Sequence, residues 1–153
     1  MVEPGIVCHG GAGHGARDQP GVDLACEAAW DVLTTGGTAL QAVLDAVMIM
    51  ENDPRLNAGT GGRVRDDGSV QLDAAIATSD GRLGMVMAIE ETPNPVLVAA
   101  ELLDEPFHVP AGDGARTGPD SKGIERSPVV GSPPVSYTHL TLPTTPSLST
   151  RGG

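Results

Sequence analysis

The spacing of apolar residues changes along the chain, and each change marks an element. Gly5-Ile6-Val7-Cys8 is a short apolar run read as a strand, and it opens into His9-Gly10-Gly11-Ala12-Gly13-His14-Gly15. Over 22–35, Leu24, Ala25, Ala28, Ala29, Val32 and Leu33 recur at helical spacing on one face, and Gly36-Gly37 closes that helix. Thr38 or Gly37 is placed to cap a second helix over 39–51. Its Leu40, Val43, Leu44, Val47, Met48 and Met50 make it apolar over most of its surface. Asp53-Pro54 ends it, because the residue before proline avoids the helical region.

A glycine-rich loop, Asn57-Ala58-Gly59-Thr60-Gly61-Gly62, comes next. Asp66-Asp67-Gly68 is a hairpin turn between strands at 63–65 and 69–77. Ser79-Asp80-Gly81 turns the chain again into a strand over 83–89. Leu72-Asp73-Ala74-Ala75-Ile76 and Met85-Val86-Met87-Ala88-Ile89 are apolar on both faces, which predicts cover on both sides of the sheet. Asn94-Pro95 starts a helix over 96–103; His108-Val109 suggests a last short strand, and 113–116 a last helical turn. The predicted order is strand, two helices, a three-stranded antiparallel meander, helix, strand. This is an α+β pattern. It excludes a doubly wound nucleotide fold, which needs alternating strands and helices.

Composition narrows the function. The 153 residues fit one domain and carry a formal net charge of −11, with 9 Lys and Arg against 20 Asp and Glu. Such a surface repels nucleic-acid phosphates and anionic lipid heads, so neither nucleic acid nor membrane is an expected partner. Trp30, Phe107 and Tyr137 are the only aromatic residues, too few for a base-stacking platform. No signal peptide or membrane-spanning run is visible, and Cys8 and Cys26 read as buried reduced thiols, which together fit a cytoplasmic protein. All 20 acidic residues precede Ser127, and 15 of the 24 residues over 127–150 are Ser, Thr or Pro. That shift divides the chain near residue 126 and predicts a disordered tail over 127–153.

Two loops can carry chemistry. The glycines over 9–15 let backbone N–H groups approach a ligand or anion; equally, they permit close packing against another segment. The loop lacks the residues of a P-loop and the spacing of a dinucleotide fingerprint. Zinc is not expected at Cys8, His9 and His14, since adjacent strand residues point to opposite faces and no fourth ligand is in evidence. In the second loop, Asn57 can donate its side-chain amide to a developing oxyanion, or simply hold the turn through its own backbone bonds.

Together these segments resemble a known family. His9-Gly10-Gly11-Ala12-Gly13 after an apolar strand resembles the opening of the plant-type asparaginases, also called isoaspartyl peptidases. Gly36-Gly37-Thr38-Ala39-Leu40-Gln41-Ala42-Val43 is similar to their second helix. Glu51-Asn52-Asp53-Pro54-Arg55-Leu56-Asn57-Ala58-Gly59-Thr60-Gly61, with Asp67-Gly68 and Leu72-Asp73-Ala74, resembles their most distinctive block. Asn94-Pro95, His108-Val109 and Gly112-Asp113-Gly114-Ala115 continue the likeness in order, which covers about residues 4–126.

The resemblance implies the first half of an αββα sandwich, in an N-terminal-nucleophile hydrolase that cleaves itself to free a catalytic threonine. It implies hydrolysis of the side-chain amide of asparagine and of β-aspartyl dipeptides, by an (αβ)₂ dimer. Asn57 matches an active-site asparagine, and Gly11 a glycine whose backbone supports the threonine. Met50, Glu51, Asp53, Leu56, Ala58 and Thr60 match positions that bind sodium through backbone carbonyls, which are hard ligands suited to that cation. No other cofactor is implied, and Cys8 and Cys26 are structural.

The nucleophile itself is not found. It opens a strand as Thr-Val-Gly, and none of Thr38, Thr60 and Thr117 is followed by Val-Gly. Thr138, Thr141, Thr144, Thr145 and Thr150 lie in the uncharged tail. Val135-Ser136-Tyr137-Thr138-His139-Leu140-Thr141-Leu142-Pro143-Thr144 looks like translated sequencing-adapter DNA, the alternative being a genuine disordered tail. The expectation is therefore a family fragment ending before the nucleophile strand, inactive alone. Alternatives are a glycosylasparaginase or threonine-aspartase relative, or a non-catalytic domain that binds a ligand or partner through its glycine loops.

Overall fold

A computed structural model of the chain describes residues 3–12, 15–105, 109–116, 123–124 and 126–133. Helix α1 is Gln19–Thr34, beginning three residues before the periodicity suggests. Pro20 sits in its first turn, where a missing N–H costs nothing. Helix α2 is Ala39–Asn52. Thr38 caps it as expected: its Oγ1 accepts from Gln41 N at 3.2 Å, and its own N–H donates to Gln41 Oε1 at 3.0 Å. Thr38→Ala should cost about 1 kcal/mol. An unchanged denaturant midpoint would show that this reciprocal cap contributes nothing.

The two helices meet along Ala25, Ala29, Ala42 and Ala46, all fully or almost fully buried. Side chains this small let the backbones approach closely. Ile6, Cys8, Val32, Leu33, Ile49 and Met50 pack around that seam.

Strands β1 (Leu72–Ala77) and β2 (Leu83–Ile89) form an antiparallel hairpin. Gly81, at φ +89°, closes the predicted turn. The pairing is regular from Ala77 opposite Leu83 to Ala74 opposite Val86 and then slips by one residue. Ala88, at φ +51°, takes up the irregularity, and Asp73 Oδ1 accepts its N–H at 2.7 Å. Helix α3, Pro95–Glu101, covers one face of the hairpin. Val70, Leu72, Ile76, Val86, Ile89, Val98, Ala99, Leu102, Leu103 and Ala115 form the larger core there.

Several expectations need correction. Residues 5–8 are not a paired strand among the described residues: Ile6 and Cys8 turn inward against the helices while Val7 is 74% exposed. A period of two makes backbone extended, but a ladder also needs a neighbouring backbone. The three-stranded meander reduces to the hairpin. Among the described residues, its expected first strand, 63–65, forms single-residue bridges, Val64 to Val70 and, in parallel, Arg63 to Ser132, rather than a strand. Among the described residues, cover on both faces is also not observed. One face is buried, while Ala75, Ala77, Leu83 and Met87 are exposed on the other. Of the expected last strand, His108 lies outside the described residues; beside Val109, Pro110 O accepts from Met87 N and Ala111 bridges to Met87. The last helical turn is a 3₁₀ turn, Gly112–Arg116.

Contacts with the fold continue past residue 126. Ser127 N donates to Glu91 O, Ser132 N to Gly62 O and Ser132 Oγ to Gly61 O, and Val129 packs on the larger core. The remainder of the tail, 134–153, lies outside the described residues. Among the described residues, no helix is long and apolar enough to cross a membrane.

Candidate functional site

The two glycine-rich loops meet over the start of α1. A β-carbon placed on Gly10 would lie 2.7 Å from Val22 Cγ2 and 3.6 Å from Leu56 Cδ2. The first loop therefore rests on α1 and on the residue before Asn57. Gly11 follows at φ +93°, a conformation that favours glycine, and its N–H donates to His9 Nδ1 at 3.0 Å. That bond leaves the His9 proton on Nε2. Both Gly11 and Asn57 are exposed to solvent. The segments carrying the two expected catalytic-site residues are thus brought together. His14 lies outside the described residues, and among those described no three His, Cys, Asp or Glu groups could surround a metal ion.

The second loop is a knot of backbone carbonyls at the C-terminal end of α2. The last four carbonyls of any helix lack an intrahelical donor, and its C-terminus carries partial negative charge. Met50 O accepts from Asp53 N, Asp53 O from Leu56 N, and Ala58 O from Gly61 N. Each of these oxygens keeps a second lone pair. Gly59 lies at φ +49°. A β-carbon there would fall 2.4 Å from both Glu51 O and Pro93 O; one on Gly61 would fall 1.8 Å from Leu56 O and 2.9 Å from Pro54 O. The glycines of the 3₁₀ turn Gly59–Gly61 are thus cradled by carbonyl oxygens. An uncharged, oxygen-rich donor set beside a helix C-terminus is chemically suited to a monovalent hard cation.

Asp53 contributes in another way. Its carboxylate accepts from Arg55 N at 3.0 Å and Arg55 Nε at 2.8 Å. The Arg55 guanidinium holds the Asp53 carboxyl below the usual carboxylate range. The first turn of α1 closes on this pair: a β-carbon on Gly21 would lie 2.2 Å from Asp53 Oδ2.

Glu51 has a role that the sequence reading missed, since only its carbonyl was considered. Its side chain is 3% exposed. Oε1 accepts from Val96 N at 3.1 Å and Oε2 from Asn94 Nδ2 at 3.2 Å. Asn94 makes no side-chain cap to α3, so the Glu51 carboxylate satisfies the orphan N–H of that helix from outside. Burial pushes its pKa up to about 7, opposed by those two hydrogen bonds. The signal was present in Met48-Ile49-Met50-Glu51, where a lone acid ends an apolar stretch of helix.

The described residues thus bring two glycine loops together, one of them carrying an exposed asparagine, in a mixed α+β fold. The family model described as Asparaginase matches residues 2–129. An isoaspartyl peptidase/L-asparaginase of Danio rerio is 35% identical over 134 residues, which is 82% of this chain and 43% of the relative. A plant-type L-asparaginase of Pyrococcus abyssi is 37% identical over 118 residues, covering 72% of this chain and 38% of the relative. An N(4)-(beta-N-acetylglucosaminyl)-L-asparaginase of Elizabethkingia miricola is 40% identical over 100 residues, covering 64% and 29%. The chain belongs to the asparaginase family. It spans well under half the length of these relatives.

Proposed function

We propose that this chain is the N-terminal part of a threonine amidohydrolase that acts on asparagine and on β-aspartyl dipeptides. The observation that carries the reading is the seating of Gly10 on Leu56, which joins the Gly11 loop to the Asn57 loop in a member of the asparaginase family. In the intact enzyme, a threonine freed by self-cleavage attacks the side-chain carbonyl. Its own amine takes the hydroxyl proton and passes it to the departing ammonia, and water then hydrolyses the ester. Asn57 supports that site through its amide, and Gly11 through its backbone. The nucleophile lies outside this sequence, so residues 1–153 alone are inactive.

The fold proposed is an αββα sandwich ending here before the nucleophile strand. The exposed, largely apolar face of the hairpin (Ala75, Ala77, Leu83, Met87) supports it, because such a face in the whole protein needs cover. Sodium is proposed at Met50, Glu51, Asp53, Leu56, Ala58 and Thr60, where it would fix the loop that presents Asn57. The intact enzyme is proposed to be a cytoplasmic (αβ)₂ dimer, with no nucleic acid or membrane partner.

The identity to the Elizabethkingia relative favours a second reading, in which the leaving group is an N-linked sugar amine. Substrate competition decides between them in the longer polypeptide that continues this chain. The expected products are ammonia from asparagine and free amino acid from β-aspartyl dipeptides, with at least tenfold lower kcat/KM on glycosylated asparagine. The reverse order would establish the second reading.

A further inference from the structure

Outside the candidate site, the sequence places Cys8 in the N-terminal segment and Cys26 on α1. Gly10 rests against Val22. One helical turn further along α1, about 6 Å, is Cys26. Two extended residues back along the segment, about 6.6 Å, is Cys8. The two advances match, so a segment laid along α1 from that contact brings Cys8 level with Cys26. Packing agrees: Cys8 lies on the seam containing Ala25 and Ala29, which flank Cys26 in sequence. Cys26 is the neighbouring group that helps raise the Cys8 thiol, and both are free, half-buried thiols.

We propose that Cys8 and Cys26 are a redox modification site: a small-molecule disulfide such as oxidised glutathione converts them to an internal disulfide that pins the segment before the glycine loop onto α1. The Cys26 thiolate attacks the small disulfide, forming a mixed disulfide and releasing one thiolate, which is protonated. Cys8 then loses its proton and attacks the Cys26 sulfur, expelling the second thiol. Two protein thiols are oxidised and one disulfide is reduced to two thiols. Burial and the neighbouring Cys26 push the Cys8 thiol up to about 11, so it is rarely a thiolate near neutral pH; contact with Cys26, which raises its effective concentration, drives the second step. Closure leaves Gly10 and Gly11 two and three residues from a covalent anchor.

The test treats the full chain with oxidised glutathione, in native buffer and in concentrated urea, and follows intact mass and cysteine peptides. The expected native product is about 2 Da lighter and joins Cys8 to Cys26. The ratio of internal to mixed disulfide should be at least about tenfold higher natively than in urea, because the fold supplies the contact. Cys8→Ser and Cys26→Ser should each stop at a single glutathione adduct or remain reduced. A chain carrying two adducts, or an equal ratio in both solvents, would overturn the proposal.

Discussion

Replacing Glu51 with alanine should destabilise the chain by about 2–4 kcal/mol, because it leaves the buried Val96 N–H without an acceptor and opens a void between α2 and α3. Glu51→Gln separates the contact from the charge. Glutamine can still accept from Val96 N, and a rotation of the Asn94 amide restores its partner. The two forms should differ in pH dependence. The Glu51 pKa is raised from 4.5 to about 7 on folding, so the folded state prefers the neutral acid. Its contribution is fully present below pH 4.5 and is lost as pH rises through 7. The loss is on the order of 3 kcal/mol. Asp53, Asp67 and Asp80 are shifted the other way, below 3.8; their contributions are present above that value and lost as pH falls. The windows are separate. Denaturant midpoints from pH 4 to 8 should therefore fall for the native chain relative to Glu51→Gln, and parallel curves would show that Glu51 remains charged.

The second large effect is at Gly59. Alanine there combines a positive φ with a β-carbon 2.4 Å from two backbone oxygens that cannot yield independently. The expected cost is about 3 kcal/mol or more. Gly36→Ala is the control. Gly36 also has a positive φ, +91°, but a β-carbon there meets nothing within 4 Å, and the cost should stay near 1 kcal/mol. Equal costs would mean that the carbonyl cradle is not what excludes a side chain. The proposed sodium adds a second readout. Replacing sodium by choline at constant ionic strength should lower the midpoint of the native chain and leave that of Gly59→Ala unmoved.

These residues also show what could be seen in the sequence. α1, α2, the β1–β2 hairpin and the Thr38 cap were legible because each depends on residues a few positions apart. The two glycine loops were legible because their signal is a local motif. What failed was non-local. Among the described residues, 5–8 had strand character but no ladder partner, and 63–65 found single-residue bridges. Glu51 was assigned a backbone role because its side-chain partners, Asn94 and Val96, lie 43 and 45 residues away. Cover of both sheet faces was expected from two apolar runs, but among the described residues one face is exposed.

The proposed enzyme creates its nucleophile by self-cleavage, so N-terminal sequencing of the longer polypeptide during purification, together with ammonia release from asparagine, decides for or against it. Two fragments are expected, the second beginning with threonine, with activity rising in step with cleavage and none from residues 1–153 alone. Full activity in an uncleaved polypeptide, or in residues 1–153, would contradict it.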